Sequence, residues 1–232
     1  MLQKASDSLD NALNGFVERM TQAKEEMSKK EETEKTKNIY EELAEIRKKQ
    51  SFQSFQETCG IDKAFYGATI ESPIFTEEMK KQLLSYIDSI KNGNGQFMIL
   101  LGKVGTGKTY TAISIMNALG YGTYLDMPEM ELKLNTADRF GSQETREALM
   151  HKWANCRLLV LDEIGRFAHK KEKEQEILFY LINKRYQNNR PTILCSNLEG
   201  AEFSQYVGEA VIDRIRSRRI RIDLNGESKR GN

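Results

Sequence analysis

Between residues 97 and 224 the chain carries short apolar runs separated by longer stretches of helical period. Phe97-Met98-Ile99-Leu100-Leu101 is uninterrupted, the pattern of a strand covered on both faces. Similar runs recur at Gly122 to Leu125, Leu158 to Leu161 and Thr192 to Cys195, with helix-length segments between them. Strand and helix alternating in this way predict an α/β fold, a parallel sheet with helices on both faces. A last segment alternates Ile220, Ile222 and Leu224 with Arg and Asp, which predicts an edge strand.

Upstream the pattern changes twice. Residues 76–91 predict a helix capped by Thr76, with Glu78 in its first turn and Met79, Leu83, Leu84, Ile87 and Ile90 on one face. The segment 51–73 mixes aromatics, glycines and a proline and predicts an irregular linker into a domain covering residues 74–232. Residues 1–50 are rich in Glu and Lys, and place Leu9, Leu13, Phe16, Met20 and Met27 at helical spacing. That thin apolar stripe fits either a partner-docking arm or a solvated helix folded back on the domain.

Composition narrows the function. A net charge of +1 over 232 residues gives no overall basic field, so any nucleic-acid contact has to come from a local patch. Cys59, Cys156 and Cys195 are scattered, with no CxxC pair, and read as reduced thiols rather than zinc ligands. The start of the chain lacks the apolar core of a secretion signal, and the apolar runs are strand-sized, so a soluble cytoplasmic protein with no membrane association is expected.

The candidate chemistry begins directly after the first apolar run. Gly102-Lys103-Val104-Gly105-Thr106-Gly107-Lys108-Thr109 fits GxxxxGK[ST] at every defined position and leads, through Tyr110, into a helical stretch. The glycines let consecutive backbone N–H groups converge on phosphate oxygens, and the helix adds its positive end. Lys108 is expected to reach the β and γ phosphates of ATP, and Thr109 to give a hydroxyl to Mg2+. The run Leu158 to Leu161 ends in Asp162-Glu163, two acids at the sheet edge where ligands of such folds bind. Asp162 suits the magnesium ion and Glu163 suits the attacking water, whose proton it would take. Thr192 to Cys195 ends in Ser196-Asn197, an amide at the same edge that fits a phosphate or water contact and also fits ordinary turn chemistry.

With LLGKVGTGKT, LLVLDEIG, PTILCSN and VGEAVIDRIRSR in this order, the chain resembles the DnaC-type helicase loaders and, nearly as closely, the IstB-type transposition helper ATPases. The resemblance covers roughly residues 60 to 224. It implies a P-loop AAA+ three-layer sandwich, with Lys108 and Thr109 as Walker A, Asp162 and Glu163 as Walker B, and Asn197 as first sensor. It also implies that Arg214 is an arginine finger acting on a neighbouring subunit, with Arg216, Arg218, Arg219 and Arg221 as alternatives in the same basic cluster. Where the family often reads GER the chain has Gly208-Glu209-Ala210, and it stops too soon after the edge strand for the C-terminal helical lid of many AAA+ proteins. The family's helical insertion for single-stranded DNA corresponds to residues 127–153, with Lys133, Arg139, Phe140, Arg146, Lys152 and Trp153 as candidate contacts, though Phe140 and Trp153 fit core positions, and the charges a solvated face, at least as well. Lys170, Lys171 and Lys173 are read as a charged loop.

The expectation is an ATPase that self-associates through its ATPase domains, docks on a replicative DNA helicase (a DnaB-type hexamer) and helps place it on single-stranded DNA. The alternative is a transposition helper that assembles on duplex DNA. A small-molecule kinase is disfavoured, because the acid pair is followed by a sensor-like amide and a candidate finger.

Overall fold

The computed structural model describes residues 20, 41–42, 44–139, 142–166 and 171–224. Leu9, Leu13, Phe16, Met27, Phe140 and Lys170 lie outside them. The chain divides into two units, Met1–Gln53 and Ser54–Asn232. In the first, Met20 and residues 41–42 and 44–53 are helical and, apart from half-buried Phe52, exposed.

The second unit is built on a five-stranded parallel sheet in the order β2-β3-β4-β1-β5. Its elements are α1 (Glu77–Lys91), β1 (Phe97–Leu101), α2 (Lys108–Leu119), β2 (Thr123–Asp126), α3 (Met127–Ala137), α4 (Arg146–Asn155) and β3 (Leu159–Ile164), followed by α5 (Lys171–Gln187), β4 (Thr192–Ser196), α6 (Gly200–Val207), α7 (Glu209–Arg216) and β5 (Arg219–Asp223). The apolar runs become the strands because each residue meets a helix on one face or the other. Phe97, Ile99, Leu101, Leu159, Leu161 and Leu194 pack with α3 to α7, whereas Met98, Leu100, Val160, Ile193 and Cys195 pack with α1 and α2. The result is the three-layer α/β sandwich expected, with β5 at the sheet edge beside β1.

Three local readings change. Segment 51–73, expected to be irregular, continues as helix through residue 58 and then buries Cys59, Ile61, Ala68 and Ile70 against the α1–α2 face of the sheet. The hydrogen bonds that fix it come from polar side chains: Gln56 donates to the Tyr66 carbonyl (2.8 Å) and Asn117 donates to the Ala68 carbonyl (2.9 Å). In α1 the buried face is Leu83, Tyr86, Ile87 and Ile90, while Leu84 is 46% exposed. Tyr86 is tolerated there because its hydroxyl reaches the carbonyls of Gln96 (3.2 Å) and Thr192 (3.3 Å). Lys171 and Lys173, read as part of a loop, open α5.

The capping chemistry follows the sequence. Thr76, Asp126 and Thr145 each accept a backbone N–H at the start of α1, α3 and α4. Arg185 on α5 is fully buried and spans α4 and β4. Its guanidinium donates to Thr192 Oγ1 (2.7 Å) and to the carbonyls of Trp153 (2.8 Å), Cys156 (3.0 Å) and Pro191 (2.5 Å). No helix among the described residues is long and apolar enough to cross a membrane.

Candidate functional site

β1 delivers the glycine-rich loop to the carboxyl edge of the sheet, and α2 begins at Lys108 within the motif. Gly102 has to be glycine: at φ +150°, a Cβ would sit 2.3 Å from the Leu224 carbonyl oxygen. The helix N-cap, Gly107 at φ 99°, supplies no side-chain cap, so the first-turn N–H groups of α2 receive no capping oxygen from it. Lys108 curls over the loop and donates from Nζ to the carbonyls of Gly102 (2.6 Å) and Lys103 (2.8 Å). Thr106 Oγ1 donates back to Lys103 O (2.9 Å), which braces the loop from inside.

β3 brings in the acids. Asp162 is 2% exposed and its carboxylate is satisfied from three directions. Thr109 Oγ1 donates to Oδ2 at 2.6 Å, the Tyr124 hydroxyl donates to the same oxygen at 2.9 Å, and the Glu163 amide donates to Oδ1 at 2.7 Å. Burial, with the Asp162 carboxylate beside it, pushes the Tyr124 phenol well above its ordinary range, so it stays a proton donor to that carboxylate.

The strand does not end at Leu161 as expected but runs on to Ile164, and its register against β4 shifts between Leu161 and Ile164. Within that irregularity Glu163 takes φ 59°, a left-handed conformation uncommon outside glycine and asparagine. Glu163 lines the cleft at this edge. The Glu163 carboxylate pairs with the Arg166 guanidinium three residues on.

A cleft of about 580 Å³ at this edge is lined by Val104, Gly105, Gly107, Lys108, Thr109, Tyr110, Asp162, Glu163 and Asn197, together with Phe65, Ile74 and Arg166. Nine of the residues singled out in the sequence therefore share one site. Gly102 and Thr106 serve the loop from behind. Arg214 lies elsewhere, on α7, where it donates to Asn183 Oδ1 (3.0 Å) and the Ala210 carbonyl (3.0 Å) and covers the Phe179 ring (5.2 Å). It borders a separate groove of about 1110 Å³ with Arg216, Arg219 and Arg221. Sequence reasoning missed Phe65, which lay in the presumed linker, Ile74, which directly follows it, and Arg166 and Tyr124, whose roles depend on where the chain folds. The segment IDKAFYGATIESPI, residues 61–74, carried the signal for the first two in its aromatic and β-branched content.

The donor set fits a magnesium-bound nucleoside triphosphate. Thr109 Oγ1 and a buried carboxylate oxygen lie 2.6 Å apart, hard oxygen ligands of the type magnesium takes. Beside them stand a helix start without a side-chain cap and a lysine reaching over a glycine loop, the two elements that bind phosphate. At the other end Phe65, Ile74 and Tyr110 present flat and branched apolar surface suited to a base.

The presumed DNA-contacting segment forms α3 and α4. Trp153 is 2% exposed and belongs to the core, so it has no face on which a base could stack. Its neighbours pair locally: Lys133 with Glu129 (2.7 Å), Arg146 with Asp138 (3.0 Å) and Lys152 with Glu144 (3.7 Å).

Known proteins place this architecture. The replicative helicase loader DnaC of Escherichia coli K12 is 33% identical over 128 residues, covering 54% of this chain and 52% of that protein. An ATP-binding protein of insertion sequence IS21 from Pseudomonas aeruginosa is 28% identical over 153 residues, covering 63% of this chain and 55% of its own length. The chain spans about half the length of the curated relatives it matches. A crystal structure of the DnaC helicase loader superposes with a TM-score of 0.60 at 21% identity, over 71% of this chain and 100% of that one. The five-stranded sheet and its helices share that loader's fold. The family model described as IstB-like ATP binding protein matches residues 6–232, and the chain belongs to that family.

Proposed function

We propose that the chain is a magnesium-dependent ATPase of the helicase-loader kind, which docks on a replicative hexameric helicase and helps place it on single-stranded DNA. The observation that carries the ATPase reading is the meeting of Thr109, Asp162, Glu163 and Lys108 in one cleft. The match to DnaC loaders over 128 residues supports the choice of partner.

In this reading Gly102 to Thr109 wrap the triphosphate, Lys108 neutralises its β and γ oxygens, and Tyr110 closes the cleft beside Phe65 and Ile74. Thr109 and Asp162 hold magnesium, which when bound offsets charge on the β and γ phosphates. Glu163 orients water and accepts its proton, and Asn197 contacts the terminal phosphate from the neighbouring strand. Arg214 reaches the cleft of a second copy, so hydrolysis requires assembly. Residues 1–50 are the docking arm, and the ATPase domain, expected from residue 74, takes in residues 54–73 as well, which supply Phe65 to the cleft.

A second reading has its own support: the family model and the IS21 relative favour a transposition helper that assembles on duplex DNA. Size-exclusion with light scattering, on full-length protein mixed with its host's replicative helicase, ATP and magnesium, separates the two. The loader reading predicts a stable complex, weakened when the arm's stripe is charged by Leu13→Glu and Phe16→Glu. Absence of a complex, together with filaments on duplex DNA, would establish the transposition helper instead.

A further inference from the structure

Glu163 and Arg166, an ion pair whose arginine side chain is about half exposed, line the cleft together with Lys108 and Asn197. The backbone builds the pairing. The Arg166 amide donates to the Glu163 carbonyl at 3.2 Å, closing a four-residue turn. Gly165 occupies its third position at φ +83°, as type II turns require. The turn is pinned from below, because the Gly165 amide donates to Glu174 Oε1 (2.8 Å) and Glu174 Oε2 accepts from the Tyr206 hydroxyl (2.8 Å). Glu174 is itself 6% exposed, so the anchor is a buried one. On the Glu163 side, the left-handed backbone and the register shift fix where the carboxylate starts. A pair this exposed is individually weak, so a better acceptor can displace it, while the backbone at both residues keeps the two side chains in reach of each other.

Two acceptors compete for that guanidinium. One is the Glu163 carboxylate, with a single negative charge. The other, when a triphosphate fills the cleft, is the terminal phosphate, which carries more charge and the oxygen geometry that a guanidinium fork matches. While Arg166 holds Glu163, carboxylate oxygen Oε2 faces the guanidinium instead of water. Once Arg166 transfers to phosphate, the carboxylate is released beside that same phosphate.

We propose that Arg166 is a positioning residue that switches between Glu163 and the terminal phosphate, so that Glu163 is freed only when a triphosphate, not a diphosphate, occupies the cleft. The proposal rests on the nucleotide-binding reading of the site and adds to it a means by which one chain senses the terminal phosphate.

The test is equilibrium binding of fluorescently labelled ADP, and of the non-hydrolysable analogue AMP-PNP by competition, with magnesium. It uses full-length wild type, Arg166→Ala, Glu163→Gln and the double variant. ADP should bind all four alike, which also reports that each is folded. AMP-PNP should bind Glu163→Gln about tenfold more tightly than wild type, the size expected when a charge-assisted bond to phosphate no longer competes with a carboxylate. The Glu163→Gln change should then have no effect on AMP-PNP binding in the Arg166→Ala background. Arg166→Lys, which keeps the charge without the fork, should retain part of the coupling. Equal tightening with and without Arg166 would mean plain repulsion between carboxylate and phosphate and would overturn the switch while leaving nucleotide binding intact. Failure of wild type to bind either nucleotide would overturn the switch and the reading of the site together.

Discussion

Arg185 shows how a single residue ties the layers of this domain. Burial lowers its pKa, and among the described residues its hydrogen bonds go to no carboxylate; four carbonyls, the Thr192 hydroxyl and the Cys156 sulfur surround the guanidinium instead. Three of those carbonyls, from Trp153, Ala154 and Cys156, cluster at the C-terminal end of α4, whose negative dipole end suits a cation. Arg185→Ala would strand these acceptors without water, so a destabilisation of about 3 kcal/mol or more is expected in urea denaturation. A loss under about 1 kcal/mol would show that the site rehydrates.

Glu174 makes a pH prediction at the same scale. Burial raises its pKa, against the opposing bonds from the Gly165 amide and the Tyr206 hydroxyl. A carboxyl with a raised folded-state pKa binds more protons folded than unfolded, so it favours folding at low pH. Its contribution falls as pH climbs from the ordinary glutamate range through the folded value. Glu174→Gln should therefore gain stability relative to wild type as pH rises across that window. Denaturant midpoints measured across the pH range check it; a difference independent of pH would contradict the sign.

At the scale of elements, what was legible was what depends on neighbours in sequence. The continuous apolar runs gave four parallel strands because strands covered on both faces need no alternation, and β5 was readable from its alternation. Thr76 and the glycine loop were readable for the same local reason. The face of α1 was misread at Leu84 because a polar ring, Tyr86, could be buried once two backbone carbonyls met its hydroxyl, and those carbonyls come from residues 96 and 192. Trp153 was open between a stacking surface and a core position, because only the packing of α4 on the sheet decides it for the core. The end of β3 was out of reach altogether, since a register shift is a property of two strands. That end is also where strain is concentrated. A Cβ on Gly165 would meet Leu198 Cδ1 at 2.6 Å and force φ +83° on an alanine. Gly165→Ala is expected to destabilise by about 1–3 kcal/mol and to slow hydrolysis by displacing the turn behind Glu163. Wild-type stability and turnover in that variant would show that the turn has slack.

Across the whole domain, the strand order β2-β3-β4-β1-β5 seats β4, which leads to Asn197, between β3, which carries Asp162 and Glu163, and β1, which leads to the glycine loop. One sheet edge therefore collects Lys108, Thr109, Asp162, Glu163 and Asn197, although they span 90 residues of sequence from 108 to 197. Arg214 stands apart from that edge and borders its own groove, an arrangement in keeping with action on a second copy. The central claim is that this edge binds ATP with Lys108 and hydrolyses it with Glu163. Parallel measurement of nucleotide affinity and single-turnover phosphate release, for wild type, Lys108→Ala and Glu163→Gln at assembling concentrations, tests it most directly. The account predicts that Lys108→Ala loses binding, and that Glu163→Gln keeps or improves it while phosphate release falls about a hundredfold or more. Glu163→Gln hydrolysing at the wild-type rate, or Lys108→Ala binding ATP unimpaired, would contradict it.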